Sequence, residues 1–141
     1  MIPIGGGSTL REFEVRTERK TQALEITADV RRALDGADEA SAALVYVPHT
    51  TAGLIVQEHA DPAVARDVER GLERIVRDDW GWEHVEAGEE NAPSHLRAVL
   101  TATSLLVPLR DGDLALGTWQ GIFFCEFDGP RQRKVYVTTV S

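Results

Sequence analysis

The sequence predicts an α+β fold, with antiparallel sheets and with helices packed on them or between them. Two observations support this class. Several short segments either alternate polar and apolar residues or run apolar with β-branched and aromatic members, which is typical of strands. Helical spacing of apolar residues is confined to a few segments, two of which, beginning at Pro62 and Pro93, are the main helices.

The first predicted elements are two strands and a short helix. Residues 9–17 alternate polar and apolar side chains and residues 24–26 do so briefly, so we expect these segments to form a half-buried antiparallel pair. Thr27 then begins a helix that ends near Gly36. Residues 42–48 form an apolar run closed by a proline, which indicates a well-buried strand.

The middle of the chain holds the strongest helix signal. A further strand covers residues 53–57, and Asp61 followed by Pro62 then supplies an N-cap and a first helical residue. Apolar residues recur at helical spacing from there, which predicts a helix over residues 62–77. A shorter helix begins at Pro93.

The last third of the chain is predicted to be strands, and the whole chain to be one domain. We interpret residues 9–141 as this single domain and the Gly-rich residues 1–8 as a flexible start. The predicted strands cover residues 104–109, 114–116, 120–127 and 133–140, with a turn at residues 111–113.

Composition excludes several classes of function. The net charge of −8, without any block of Lys and Arg, disfavours nucleic-acid binding but leaves room for a small anion held by local donors. No apolar run approaches the roughly 20 residues of a membrane-spanning helix, and the start lacks the features of a signal peptide, so we expect a cytoplasmic protein. Cys125 is the only cysteine, which rules out a disulfide within the chain and a cysteine-based zinc site. Its apolar neighbours indicate a small core residue.

Three polar clusters interrupt this strand-rich chain. They are residues 48–51, residues 90–95, and residues 117–121 leading into residues 126–131. Each cluster lies where a predicted element meets a loop, which is where functional side chains tend to collect. The sequence therefore suggests one site assembled from distant segments.

Three histidines in or near these clusters are candidate metal ligands. His95 lies in the first turn of its helix, where the helix dipole keeps an imidazole neutral and able to bind metal or act as a base. His49 directly follows a buried strand, and either belongs to the site or only caps that strand. With His84, in a polar connection, they supply the three nitrogens typical of a catalytic zinc site, although their spacing matches no compact signature.

Several other polar residues have both a functional and a structural interpretation. The hydroxyls of Thr50 and Thr51 either bind phosphate oxygens or stabilise the turn. Asn91 either caps the following helix or contacts the substrate.

The same choice applies to Glu126, which we expect on one face of a strand beside two large apolar side chains. It is either a general acid/base, with Arg131 clamping an anion, or the acid of a structural ion pair with Arg131 or Arg133.

Five strings of residues in the chain form a recognisable pattern. They are His49-Thr50-Thr51-Ala52, Glu58 with Asp61-Pro62, Asn91 with His95-Leu96, Leu116-Gly117-Thr118-Trp119-Gln120, and Glu126 with Asp128-Gly129-Pro130-Arg131. Together they resemble the YjbQ family, also called the secondary thiamine-phosphate synthases, and the resemblance runs in order from about residue 9 to the C-terminus. Gln57 and His59 depart from the family pattern around Glu58, which puts a substrate contact there in doubt.

The resemblance implies a sandwich-like fold and a homotrimer with sites near the subunit interfaces. It also implies a metal-associated cluster of His49, His84 and His95, and substrate contacts by Thr118 and Gln120. The implied reaction joins a pyrimidine pyrophosphate to a thiazole phosphate with loss of pyrophosphate.

We therefore expect a transferase that acts on a small phosphorylated metabolite with a divalent metal. Histidine ligands favour zinc or a similar ion, whereas pyrophosphate chemistry more often uses magnesium. A metal-dependent hydrolase and a non-catalytic trimer that binds a metal or an anionic metabolite are the alternatives.

Overall fold

The computed structural model describes residues 10–85 and 90–141, and the start that we expected to be flexible, residues 1–8, lies outside them. Strands and helices follow in an order close to the predicted one. They are β1 (Arg11–Arg16), β2 (Gln22–Glu25), α1 (Thr27–Ala33), β3 (Ala42–Tyr46), β4 (Ala52–Glu58), α2 (Pro62–Ile75), α3 (Ala92–Val99), β5 (Ser104–Arg110), β6 (Asp113–Leu114), β7 (Gln120–Glu126) and β8 (Gln132–Val140).

The strands form two antiparallel sheets, which confirms the predicted α+β class. One sheet has the order β1-β8-β3-β5-β6 and the other the order β2-β7-β4. The expected pairing of the first two strands is wrong, because β1 pairs with β8 and β2 pairs with β7. Thr17 marks the separation: its N–H donates to the carbonyl of Arg131 at 2.9 Å, at the point where both chain segments pass from one sheet to the other.

The main core lies between the two sheets. Alternate residues of the strands point inward, and Val45 of β3, Val137 of β8, and Leu54 and Phe124 of the smaller sheet are almost completely buried there. The smaller sheet is covered on its other face as well, since α2 packs against β2 and β4, and α3 packs against β4. Every residue of β7 after the first is therefore buried.

Cys125 lies in this doubly covered strand and is 2% exposed. Burial, with a smaller contribution from the charge on Glu69, raises the pKa of its thiol to about 12. The position agrees with the predicted role as a small core residue.

Helix α2 begins as predicted and ends two residues early. Asp61 accepts a hydrogen bond from the N–H of Ala63 at 2.9 Å, and Pro62 follows the cap. The helix ends where the backbone of Val76 becomes extended. The buried guanidinium of Arg97, on α3, donates to the Val76 carbonyl at 2.7 Å and so ties the two helices together. None of the described helices is long and apolar enough to cross a bilayer.

Candidate functional site

A cavity of about 790 Å³ lies where the β3–β4 loop, the start of α3 and the β7–β8 loop meet. Its lining contains guanidinium, imidazole, hydroxyl and amide groups, and no carboxylate comes from the described residues. Seven of the predicted site residues line it, namely His49, Thr50, Thr51, His84, Asn91, His95 and Arg131. Tyr46, Pro48, Thr103 and Arg133 complete the lining.

The imidazole of His49 is held by the neighbouring strand. Its Nε2 accepts a hydrogen bond from the backbone N–H of Lys134 at 2.9 Å. The ring stands edge-on to that of Phe124, with 6.5 Å between the ring centroids. Burial and the nearby charge of Arg133 hold the pKa of His49 below its usual value, so the ring is neutral near pH 7.

His84 and His95 lie side by side at another wall of the cavity. Their ring centroids are 5.3 Å apart and the rings are edge-to-face. His95 is carried by the first turn of α3, as predicted, and His84 by the segment that follows α2.

The positions of the three histidine rings show how well the site fits the expected metal. A catalytic zinc site usually has three protein ligands, and His84 and His95 can offer two nitrogens. Among residues 10–85 and 90–141, no group of three or more His, Cys, Asp and Glu side chains is placed to hold an ion. The described part of one chain thus does not assemble the expected three-histidine centre, although all three rings line one cavity.

Asp128 links two residues of the cavity lining, Asn91 and Arg131. Its Oδ2 accepts from Asn91 Nδ2 at 2.9 Å and from Arg131 Nη2 at 2.7 Å, while its carbonyl accepts from Arg131 Nε at 2.8 Å. Asn91 occupies the N-cap position of α3 but makes no side-chain cap bond, so its alternative role as a cap is not realised. We had not predicted a role for Asp128, and only its place in the Asp128-Gly129-Pro130-Arg131 string marked it.

Glu126 forms the structural ion pair that was one of its two predicted roles. The fully buried carboxylate accepts from Nε of Arg133 at 2.8 Å, from Nη2 of the same guanidinium, and from the hydroxyl of Thr17 at 2.8 Å. It also accepts the N–H groups of Phe127 and Asp128 at 3.1 and 3.0 Å. Burial alone would raise the pKa of this carboxyl, but the bonds from Arg133, Asp128 and Thr17 outweigh it and lower the pKa.

Arg133 lines the cavity, and the sequence analysis did not predict this. It was named only as a partner for Glu126, yet it lines the cavity and donates to the hydroxyl of Thr51 at 2.8 Å. Alternation along β8 could have found it, because Arg133 shares the inward face of Val135 and Val137.

Two predicted substrate contacts lie elsewhere. Gln120 begins β7 and Glu126 ends it, and at about 3.3 Å per residue the two are about 20 Å apart. Gln120 Oε1 accepts from the N–H of Gly117 at 2.8 Å, and Thr118 is exposed beside it. His59, at the same end of the sheet, bonds Glu25 at 2.8 Å through Nδ1. This cluster does not reach the cavity of its own chain.

Comparisons with known proteins identify the family. Residues 11–141 match the family described as UPF0047 protein YjbQ-like. A UPF0047 protein of Methanocaldococcus jannaschii is 36% identical over 93% of this chain and 94% of its own, and YugU of Bacillus subtilis is 39% identical over 91% and 96%. The crystal structure of an uncharacterised YjbQ/UPF0047 protein from Clostridium acetobutylicum is 40% identical, with a TM-score of 0.86 over 92% of this chain and 99% of that chain. The chain therefore belongs to the UPF0047 YjbQ-like family.

Proposed function

We propose that the cavity binds the phosphate or pyrophosphate group of a small metabolite. The observation that carries this proposal is the contrast between the cavity and the rest of the molecule. The chain has a net charge of −8, yet the described lining contains two guanidiniums, three imidazoles and no carboxylate. The carboxylates that pair with the two guanidiniums, Asp128 and Glu126, are not part of this lining, so the cavity presents N–H donors to a small anion. The overall charge repels long phosphate polymers.

Arg131 and Arg133 are the groups that we expect to contact the anion. Arg131 is half-exposed and is oriented by Asp128, so its planar fork is preorganised for phosphate oxygens. Arg133 is buried and held by its ion pair with Glu126, so it offers the cavity a guanidinium group whose orientation is fixed. In a transfer reaction, these two guanidiniums would help to neutralise the charge of pyrophosphate as it leaves.

A second cavity next to the first offers a place for a ring. It has a volume of about 450 Å³, and it shares His84 and His95 with the main cavity. Trp82, Ala92 and Leu96 give it an apolar wall, and the Trp82 indole is fixed by a hydrogen bond from Nε1 to the Arg77 carbonyl at 3.0 Å. A ligand with its anionic group beside the arginines could stack a heterocycle against this indole.

On this basis, and on the family resemblance, we propose a cytoplasmic transferase of the thiamine-phosphate synthase type. It would form a bond between the thiazole nitrogen and the methylene carbon attached to the pyrimidine ring, and break the bond from that carbon to pyrophosphate, which is released. A divalent metal remains part of the proposal, with His84 and His95 as its candidate ligands. The alternative of a non-catalytic anion-binding protein is favoured by the position of Glu126, whose buried and fully bonded carboxylate is not placed to move protons in the cavity.

The test is to incubate the purified protein with the two thiamine precursors and to measure thiamine phosphate and pyrophosphate. We expect both products, and a loss of at least about tenfold on Arg131→Met, because one charge-assisted contact to the anion is removed. Arg32→Met, a change at an exposed arginine of α1, is the matched control. Binding of pyrophosphate without product would support the non-catalytic alternative, and phosphate release from a single precursor would support a hydrolase.

A further inference from the structure

We propose that His49 acts as a neutral hydrogen-bond donor, through Nδ1–H, to the anionic group of the bound ligand, and that it is neither a metal ligand nor a general base. This inference rests on the anion-binding function proposed above. It also removes His49 from the three-histidine cluster that the sequence led us to expect.

The tautomer of His49 follows from one hydrogen bond. The backbone N–H of Lys134 donates to Nε2 at 2.9 Å, and a ring nitrogen can accept only if it carries a lone pair. A neutral imidazole has one such nitrogen and one N–H, so the proton must be on Nδ1. Turning the ring by 180° would place a carbon where Nε2 now accepts and would leave the Lys134 N–H without this acceptor, so the hydrogen bond favours the present orientation.

This tautomer is incompatible with metal binding in the observed position. Coordination through Nε2 would use the lone pair that already accepts from Lys134. Coordination through Nδ1 would move the proton to Nε2, and the resulting Nε2–H would then point at the backbone N–H of Lys134. Action as a base has the same consequence, because the only nitrogen that can take a proton is Nε2. Each alternative leaves the Lys134 N–H without its acceptor.

The surroundings of the ring favour the neutral form for an independent reason. Arg133 and Arg131 line the same cavity, and a positive charge on His49 would be repelled by both. Burial disfavours the charged ring most strongly, and the charge of Arg133 comes next, while the backbone of Lys134 and the charge of Glu126 act in the opposite direction. The net result is a pKa for His49 below its ordinary value.

An N–H donor is what a cavity of this composition can use. The two guanidiniums carry the charge, and the Nδ1–H of His49 adds an uncharged donor whose direction is set by the Lys134 bond and by contact with Phe124. A donor that is already oriented loses little freedom when it meets an anion. His49 is therefore assigned to recognition of the ligand oxygens.

The first test reads the tautomer directly. The full chain is labelled with ¹⁵N-histidine, and long-range ¹H–¹⁵N correlations are recorded near pH 7.5, with the His49 signals identified by their loss in His49→Gln. We expect a protonated Nδ1 and an unprotonated Nε2, unchanged when zinc is added. An Nε2–H tautomer, or a zinc-dependent change at the His49 nitrogens, would overturn the proposal.

The second test measures binding of pyrophosphate and of zinc, separately, by calorimetry. His49→Ala should weaken pyrophosphate binding by about tenfold, the usual effect of one hydrogen bond to a charged group, and leave zinc affinity unchanged. His49→Gln should recover most of the pyrophosphate affinity, because its amide can accept from Lys134 and still donate. Equal loss of zinc affinity in both variants would show that His49 is a metal ligand after all.

The two tests separate this inference from the function on which it rests. If wild-type protein binds no pyrophosphate, the anion site and the donor role both fail, even if the NMR signals show Nδ1–H. If wild-type protein binds pyrophosphate and His49→Ala binds it equally well, the anion site stands and the role of His49 is refuted.

Discussion

The Glu126–Arg133 pair shows how single buried residues shape this site. A buried carboxylate is costly unless its charge and both oxygens are satisfied, and here one guanidinium, one hydroxyl and two backbone N–H groups satisfy it. The same contacts hold Arg133 at the wall of the cavity. From the sequence, Arg131 and Arg133 were equally good partners for Glu126. The choice depends on the register of β8, which turns Arg133 inward and leaves Arg131 in the preceding loop.

We predict that Glu126→Gln lowers the free energy of unfolding by about 3–5 kcal/mol, because it leaves the buried Arg133 charge unpaired. Urea unfolding monitored by tryptophan fluorescence measures the change. Glu12→Gln is the control: Glu12 is exposed and lies 3.6 Å from Lys134, so its loss should change stability by no more than about 1 kcal/mol.

The stability difference between wild type and Glu126→Gln should also depend on pH. The pKa of Glu126 is lower in the folded protein than its ordinary value of 4.5, so the unfolded state takes up this proton first as the pH falls. The stabilisation from the ionised carboxylate is complete above that ordinary value and is lost as the pH falls through the folded value. The stability gap between wild type and Glu126→Gln should therefore narrow below about pH 4.5. A gap that stays constant down to pH 3 would contradict this assignment.

The positions of helices and strands could be predicted more reliably than the pairing of the strands. Helix α2 could be predicted because its cap, its proline and its apolar spacing are all local signals. The faces of β7 were also predictable, since alternation fixes which residues share a side. Alternation does not identify the neighbouring strand, and so the expected pairing of β1 with β2 was wrong. That choice depends on contacts such as Thr17 with Arg131, which are 114 residues apart.

Two glycines in different elements should respond in opposite ways to alanine. A Cβ at Gly53 of β4 would lie 1.8 Å from Oγ1 of Thr101 and 3.1 Å from the carbonyl of Ala102, whereas a Cβ at Gly71 of α2 would have no atom within 4 Å apart from those of the adjacent residues and the backbone of its own helix. We expect Gly53→Ala to destabilise the fold by about 1–3 kcal/mol through overpacking. Gly71→Ala should stabilise it by up to about 1 kcal/mol through helix propensity.

Each glycine variant is the control for the other, because both add one methyl group. Urea unfolding measures the stability of both variants. If the unfolding midpoints of Gly53→Ala and Gly71→Ala shift in the same direction, close packing at Gly53 does not distinguish the two sites.

At the scale of the whole molecule, the site is assembled by sheet topology. Three distant segments meet because β3 and β8 are neighbours in one sheet while β4 and β7 are neighbours in the other. The sequence predicted that the polar clusters gather, and seven of the named residues do line one cavity. It placed Thr118 and Gln120 with them incorrectly for a single chain, because a motif next to a strand does not reveal which end of the sheet it occupies.

The homotrimer that the family resemblance implies leads to a prediction for the outer face of the larger sheet. Exposed apolar side chains, including Tyr46, Leu106 and Val140, cover this face, and such a surface is typical of an interface. Light scattering should give a mass about three times the 15.5 kDa of one chain. Leu106→Glu should reduce the mass to that of a monomer, since it places a charge in the proposed contact.

Ile75→Glu is the matched control for the assembly experiment. Ile75 is 61% exposed, close to the 65% of Leu106, but it ends α2 on the opposite side of the smaller sheet. A monomeric wild type would contradict the trimer, and an unchanged mass for Leu106→Glu would exclude this face as the contact.

The covered position of Cys125 makes its thiol a reporter of opening between the helices and the smaller sheet. Its side chain is buried on the face of β7 that α2 covers, close to Glu69, so thiol reagents should reach it only when the helices move away from this sheet. The time course of its alkylation under native conditions would thus measure that rare event without any added dye. For the same reason, a second cysteine introduced on the surface could be labelled selectively while the native one is left in place.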